Sequence, residues 1–226
     1  FFIKDYLNLS AAFLAGLGFW AGIPWALKMP LGHLVDLIWS RKNYLVFVGA
    51  GLIVLSVIIM YGLIIHTETM ASILKVETWF IISALLAPVG YVTQDVVADA
   101  MTVEAIPSTD DQGIQYSTQQ IKIMHTTMQT LGRFAIIGGF FLVALVNVVM
   151  FAGVSALSEA EKIEIYGRIY LYALIIPIVS VSGVFLAMYL KRQRLEKLKK
   201  SGVSDEELKK LMTEYDVGTQ PNWWIL

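Results

Sequence analysis

The sequence predicts an all-α, polytopic transmembrane bundle, and three observations predict it. Hydrophobic residues make up 57% of the 226 residues and charged ones only 15%, against about 25% charged in a soluble domain. Mean hydropathy is +0.65. The charge is also segregated: long stretches carry almost none, while 191–216 carries many.

A spanning helix needs about 20 apolar residues, and five stretches qualify: 9–38, 44–65, 78–103, 124–154 and 169–190. The first is apolar to Leu27 and less so to Asp36. The second runs from Tyr44 to Ile65 without a charge. The third, Thr78 to Val103, carries Asp95 and Asp99. The fourth runs from Met124 to Val154 and the fifth from Ile169 to Leu190. Short loops make neighbours antiparallel. Pro24, Pro30, Pro88, Pro177 and Gly138-Gly139 predict kinks rather than ends, because neighbouring helices satisfy freed backbone groups. Gly16, Gly18, Gly22, Gly49, Gly51 and Gly62 are expected to allow close helix packing.

Orientation follows from lysine and arginine near the span ends. Arg41, Lys42, Lys122 and the run KRQRLEKLKK share one side, while Glu68, Glu77, Glu159, Glu161 and Glu164 crowd the other. The first side is expected to be cytoplasmic, so the 191–222 linker and the Arg41 loop lie inside. Ser204 and Glu207 have capping-box spacing, which predicts a short helix in that linker, and Trp223 to Leu226 reads as the start of another span. The first residue is Phe, with no leader pattern, and the first span runs inward. Both features predict an internal segment whose remaining helices lie elsewhere in a longer chain.

Several function classes lose support at this stage. No basic face spans the chain, so nucleic acid is not an expected partner. Cysteine is absent, excluding disulfides and thiolate metal sites. His33, His66 and His125 lack ligand spacing, so neither metal nor cofactor is expected. No G-x-x-x-x-G-K-[ST] points to a nucleotide-driven pump. No nucleophile, base and orienting group converge, so an enzyme is not expected.

Charges inside spans are the informative residues, because an ionised group at the bilayer centre costs about 2.5–3.5 kcal/mol on insertion scales. Asp95 and Asp99 lie four apart, with Pro88, Tyr91 and Thr102 on the same side of the third span. The alternative for Asp99 and Glu104 is a headgroup position paired with Arg41 or Lys42. On the fourth span Lys122, Thr126, Gln129, Arg133 and Asn147 form one polar stripe, which should face water; a hydrogen-bonded packing seam is the alternative. Lys28, between Pro24 and Pro30, either faces the interior or snorkels to the headgroups.

The stretch GHLVDLIWSRKNYL, 32–45, resembles the loop signature G-x-L-x-D-R-x-G-R-K of the major facilitator superfamily. Gly32, Leu34, Asp36, Arg41 and Lys42 match; Leu37 replaces the first arginine, the glycine is missing, and one extra residue separates Asp36 from Arg41. Together with FFIKDYLNLSAAF, IPWALKMPLGHLVD and QDVVADAMTVE, it makes residues 1–140 similar to the folate/biopterin transporter branch. Muropeptide permeases, acetyl-coenzyme A transporters and pigment-assembly proteins share similar half-motifs.

The resemblance implies helices two to six of twelve, inverted repeats and a midplane site reached by rocking. It implies secondary active transport of a small organic anion, folate or a pterin, with a coupling proton. Substrate contacts are expected from Lys28, Tyr91, Asp95, Gln129 and Arg133. Gly32, Asp36, Arg41, Lys42, Asp99 and Glu104 are expected to form a cytoplasmic gating cluster. A non-transporting scaffold on the same fold is the competing class.

Overall fold

The computed structural model describes residues 2–38, 42–104, 106 and 115–200. Arg41, the 201–222 part of the linker and the segment from Trp223 lie outside the described residues. The described chain is predominantly helical, with five helical segments long and apolar enough to cross a membrane. That is the make-up of a multi-pass integral membrane protein.

A short α1 (Phe2–Tyr6) precedes α2 (Ala11–Ala26), whose first turn is capped by the Ser10 hydroxyl accepting from the Phe13 amide at 3.1 Å. The first span breaks at Leu27 and resumes as α3 (Lys28–Leu37). Pro30 explains the break: it has no amide to donate to the Ala26 carbonyl. Next come α4 (Lys42–Ile65), a short α5 (Thr67–Ile73) and α6 (Val76–Glu104), which absorbs Pro88 without interruption.

Then α7 (Thr118–Met150) starts at a Ser117–Gln120 capping box, and α8 (Glu159–Ala173) leads into α9 (Ile175–Lys200). The one-residue break at Leu174 has the same proline spacing, with Pro177 four residues after Ala173 as Pro30 is four after Ala26. Helix α8 begins ten residues before the Ile169 start expected from apolar content. Its charged first turns are held by Ser158, whose hydroxyl donates to Glu161 Oε2 at 2.7 Å while accepting from the Glu161 amide.

The described residues form two compact units, those up to Val97 with those from Tyr166 onward, and those from Ala98 to Ile165. In the first unit, α4 and α6 run antiparallel in close register. Gln94 Nε2 donates to the Val46 carbonyl at 3.0 Å. Gly49 and Gly90 abut so closely that a Cβ on either would lie 2.6 Å from the other's carbonyl oxygen. Further along, the Ser56 and Ser83 hydroxyls, 3.0 Å apart, each donate to the other residue's carbonyl, at 2.8 and 2.9 Å. Small residues thus let the backbones meet where lipid gives no hydrophobic drive. Gly49 packs as expected. Gly16, Gly18, Gly22 and Gly51 face open space instead: a methyl added at any of them would meet nothing within 4 Å.

The remaining pairings fix direction. Phe13 meets Phe80, Trp25 meets Tyr91, Lys28 meets Asp95 and Gly32 approaches Val96, so the first span runs parallel to α6. On the other face of α4, Gly167 sits against Tyr61 and Ile65, and Phe185 against Phe47, so α8–α9 runs antiparallel to α4. Within this unit the order is therefore first span, α6, α4, α8–α9. Val97 and Tyr166, where the chain leaves and re-enters the unit, lie at opposite ends of it.

The second unit is built around α7, none of whose residues is buried; Phe134, Phe140 and Phe141 are all exposed. An apolar helix exposed all round is stable where the solvent is itself apolar.

Candidate functional site

The first unit brings three of the expected substrate residues together. Lys28 opens α3, one residue past the break, and its Nζ lies 2.6 Å from Asp95 Oδ2 on α6. Both side chains are only partly exposed, at 37% and 21%. Tyr91, one turn before Asp95, stacks at a tilt on Trp25, three residues before Lys28, with ring centroids 5.4 Å apart. Two adjacent turns of two helices thus carry an aromatic pair and an ion pair in succession.

Helical spacing makes this arrangement. Positions 25 and 28 flank the Leu27 break of the first span, 91 and 95 are i,i+4 neighbours on one face of α6, and the first span and α6 run parallel with a nearly constant offset. Gly32 and Val35 extend the same face of α3, with Val35 and Val92 buried and Val96 nearly so. The site therefore rests on apolar packing on one side while both rings stay close to half exposed.

Chemically, the pair presents a cation, a carboxylate and two flat rings within one helical turn of each other. An ammonium offers a point charge to an anion. A carboxylate accepts from amine and ring N–H groups, and the rings offer π faces to a planar heterocycle. Trp25 is the member of this group that sequence reasoning misses. Its one signal is its place three residues before an intramembrane lysine.

Gln129 and Arg133 stand on α7 in the second unit, both exposed. The Thr126 hydroxyl in the same stripe donates to the Lys122 carbonyl at 2.9 Å, and Thr130 donates to Thr126 at 2.8 Å. These hydroxyls are satisfied inside the helix. Of the expected stripe, Lys122, Gln129 and Arg133 carry the long side chains, and all three are exposed.

The expected gating residues divide likewise. Gly32 lies on the α6-facing side of α3, and Asp36 is exposed at that helix's end. Lys42, read as a loop cation, instead opens α4 and is buried. Asp99 is exposed on α6, one turn past Asp95, and its carbonyl accepts from the Thr102 hydroxyl at 2.7 Å. The side chain of Glu104 lies outside the described residues, as does Arg41.

Near the α4–α5 turn, at the unit's opposite end, a cavity of about 320 Å³ is lined by Tyr6, Ile65, His66, Thr67, Glu68 and Thr69. The Tyr6 hydroxyl ties α1 to this turn through the Thr67 hydroxyl at 3.0 Å and the Ile64 carbonyl at 3.3 Å. Its only formal charge is an acid, so it is a poorer place for an anion than the ion pair. Among the described residues, no group of three or more His, Asp or Glu side chains is placed to hold a metal ion.

No protein-family model, curated protein or solved structure matches the chain. Its side chains therefore carry the whole of the functional reading.

Proposed function

We propose that the chain is the five-span part of a secondary active transporter of the major facilitator type, which moves a small organic anion of the folate or pterin class by alternating access. The observation that carries this reading is the Lys28–Asp95 pair, 2.6 Å apart between α3 and α6 beside the Trp25–Tyr91 rings. A folate or pterin is flat, anionic at one end and rich in N–H donors at the other. Lys28 takes the anionic group, Asp95 the donor edge, and Trp25 with Tyr91 the ring.

Arg133, on α7 of the second unit, carries a planar fork of the kind that holds a carboxylate bidentately. Two roles are open to Asp95: contact with that donor edge, or carriage of the coupling proton, whose binding would free Lys28 for the anion. The ends bearing Lys42 and the 191–200 cations face the cytoplasm, as the positive-inside rule requires, and Asp36, Arg41 and an acid from Asp99 or Glu104 close that side.

The same ion pair favours one competing reading, a non-transporting assembly protein in which Lys28 and Asp95 only neutralise each other inside the bundle. Uptake by the full-length protein in proteoliposomes separates the two. With folate or a pterin as substrate, Asp95→Asn should lose pH-driven accumulation and keep exchange if Asp95 carries the proton, and lose both if it binds the ring edge; Trp25→Ala should weaken binding about tenfold, the loss of one stacked ring, and Arg133→Ala should abolish it. No uptake of any organic anion by the wild-type protein, or unchanged affinity in Arg133→Ala and Trp25→Ala, would remove the transport site.

A further inference from the structure

The last span does not stop where its apolar residues stop. The candidate spanning segment ends at Leu190, yet α9 continues as unbroken helix to Lys200. These ten further residues hold Lys191, Arg192, Arg194, Lys197, Lys199 and Lys200 against a single acid, Glu196. Six of the chain's 17 lysines and arginines thus lie in one short helical extension.

Their distribution around the helix decides what they can do. At about 100° per residue, the six positions leave no arc wider than about 80° without a cation. A helix lying flat on a membrane needs one broad apolar face, whereas the two leucines of this extension, Leu195 and Leu198, lie about 60° apart with Lys191 between them. A helix leaving the membrane upright meets headgroups on every side, and cations all round suit that geometry. Ten residues rise about 15 Å. The headgroup layer of one leaflet takes up about 5–8 Å of that, and the remainder lies within about one Debye length of the surface. At the boundary, Gln193 Nε2 donates to the Tyr189 hydroxyl at 2.7 Å, placing an aromatic ring and its polar tip where the apolar core gives way to headgroups.

We propose that the 191–200 extension of α9 is a docking site for anionic phospholipid headgroups, which collect around it and set the depth of the last span. The partner is the phosphate of a bilayer lipid, since charge complementarity and upright passage both place the cations in that layer. This holds whatever the bundle carries.

The test uses the full chain, which has no native cysteine. Met188, 43% exposed near the end of the span, is replaced as Met188→Cys and labelled with bimane. Quenching by brominated phosphatidylglycerol is then compared with quenching by brominated phosphatidylcholine in reconstituted vesicles. The two lipids differ only in their headgroups, so the ratio of apparent association constants reads headgroup preference.

The expected preference for phosphatidylglycerol is about 25-fold at about 50 mM salt, the work of two cations at roughly fivefold each, and it should fall to near one at about 1 M salt. Replacing all six cations with Gln, which preserves helix propensity, should bring it within about twofold of one. A label at Ile73→Cys, exposed at the other end of the unit, should show no preference. A ratio near one at Met188 in the otherwise unaltered chain overturns the proposal, as does a preference that survives the six Gln substitutions. Loss of the preference on adding inorganic phosphate at matched ionic strength also overturns it, because the site would then belong to a free anion.

Discussion

Separating Lys28 from Asp95 is the most informative perturbation, because the pair joins the first span to α6 and also holds the charges that a substrate would use. At 2.6 Å, two unit charges in an effective dielectric of about 20 attract by roughly 6 kcal/mol. Lys28 is more than a third exposed, which discounts that by about half, and fixing a lysine side chain costs up to about 2 kcal/mol. A net coupling of roughly 1–2 kcal/mol remains. Each single replacement, Lys28→Leu or Asp95→Leu, strands the other charge and should cost about 2–3 kcal/mol, whereas the double replacement should recover much of that loss. Equilibrium unfolding in mixed micelles, followed by tryptophan fluorescence, measures all four corners of the cycle. A coupling within about 0.3 kcal/mol of zero would mean additive effects, and the ion pair would then neither hold the helices together nor define a shared site. Recovery of stability without recovery of uptake in the double variant is the outcome expected of a transport site.

Two further predictions test the architecture. Gly90→Ala should destabilise the bundle by about 1–3 kcal/mol, because the new methyl meets the Gly49 backbone carbonyl and forces α4 and α6 apart, while Gly18→Ala, in open space, should be neutral or slightly stabilising; equal effects at the two positions, measured by thermal unfolding, would refute the seam. Single cysteines at 41 and 200 should resist an impermeant maleimide in intact cells, and those at 68 and 161 should react; labelling at 41 would reverse the proposed orientation.

The five apolar helices are legible in the sequence because lipid demands about 20 apolar residues per crossing, and Tyr44–Ile65 or Met124–Val154 satisfy that from composition alone. The start of α8 is not, because Glu159, Glu161, Lys162 and Glu164 read as loop charges until Ser158 is seen to cap them. Lys28 and Asp95 stand out individually as charges inside spans. Their pairing depends on the parallel offset of two helices 67 residues apart, which no local pattern encodes. The glycines show the same limit from the other direction: Gly49 and Gly51 look equivalent in sequence, yet only Gly49 lies on the face that α6 approaches.

The separation between Lys28 and Asp95 also has a meaning in time. A ribosome adding about 5–20 residues per second needs roughly 3–13 s to travel from the lysine to its partner. Through that interval the first span emerges with a cation whose neutralising carboxylate does not yet exist. Over that interval the uncompensated lysine costs about 2.5–3.5 kcal/mol in the bilayer, a cost that release of the first span together with the third would remove.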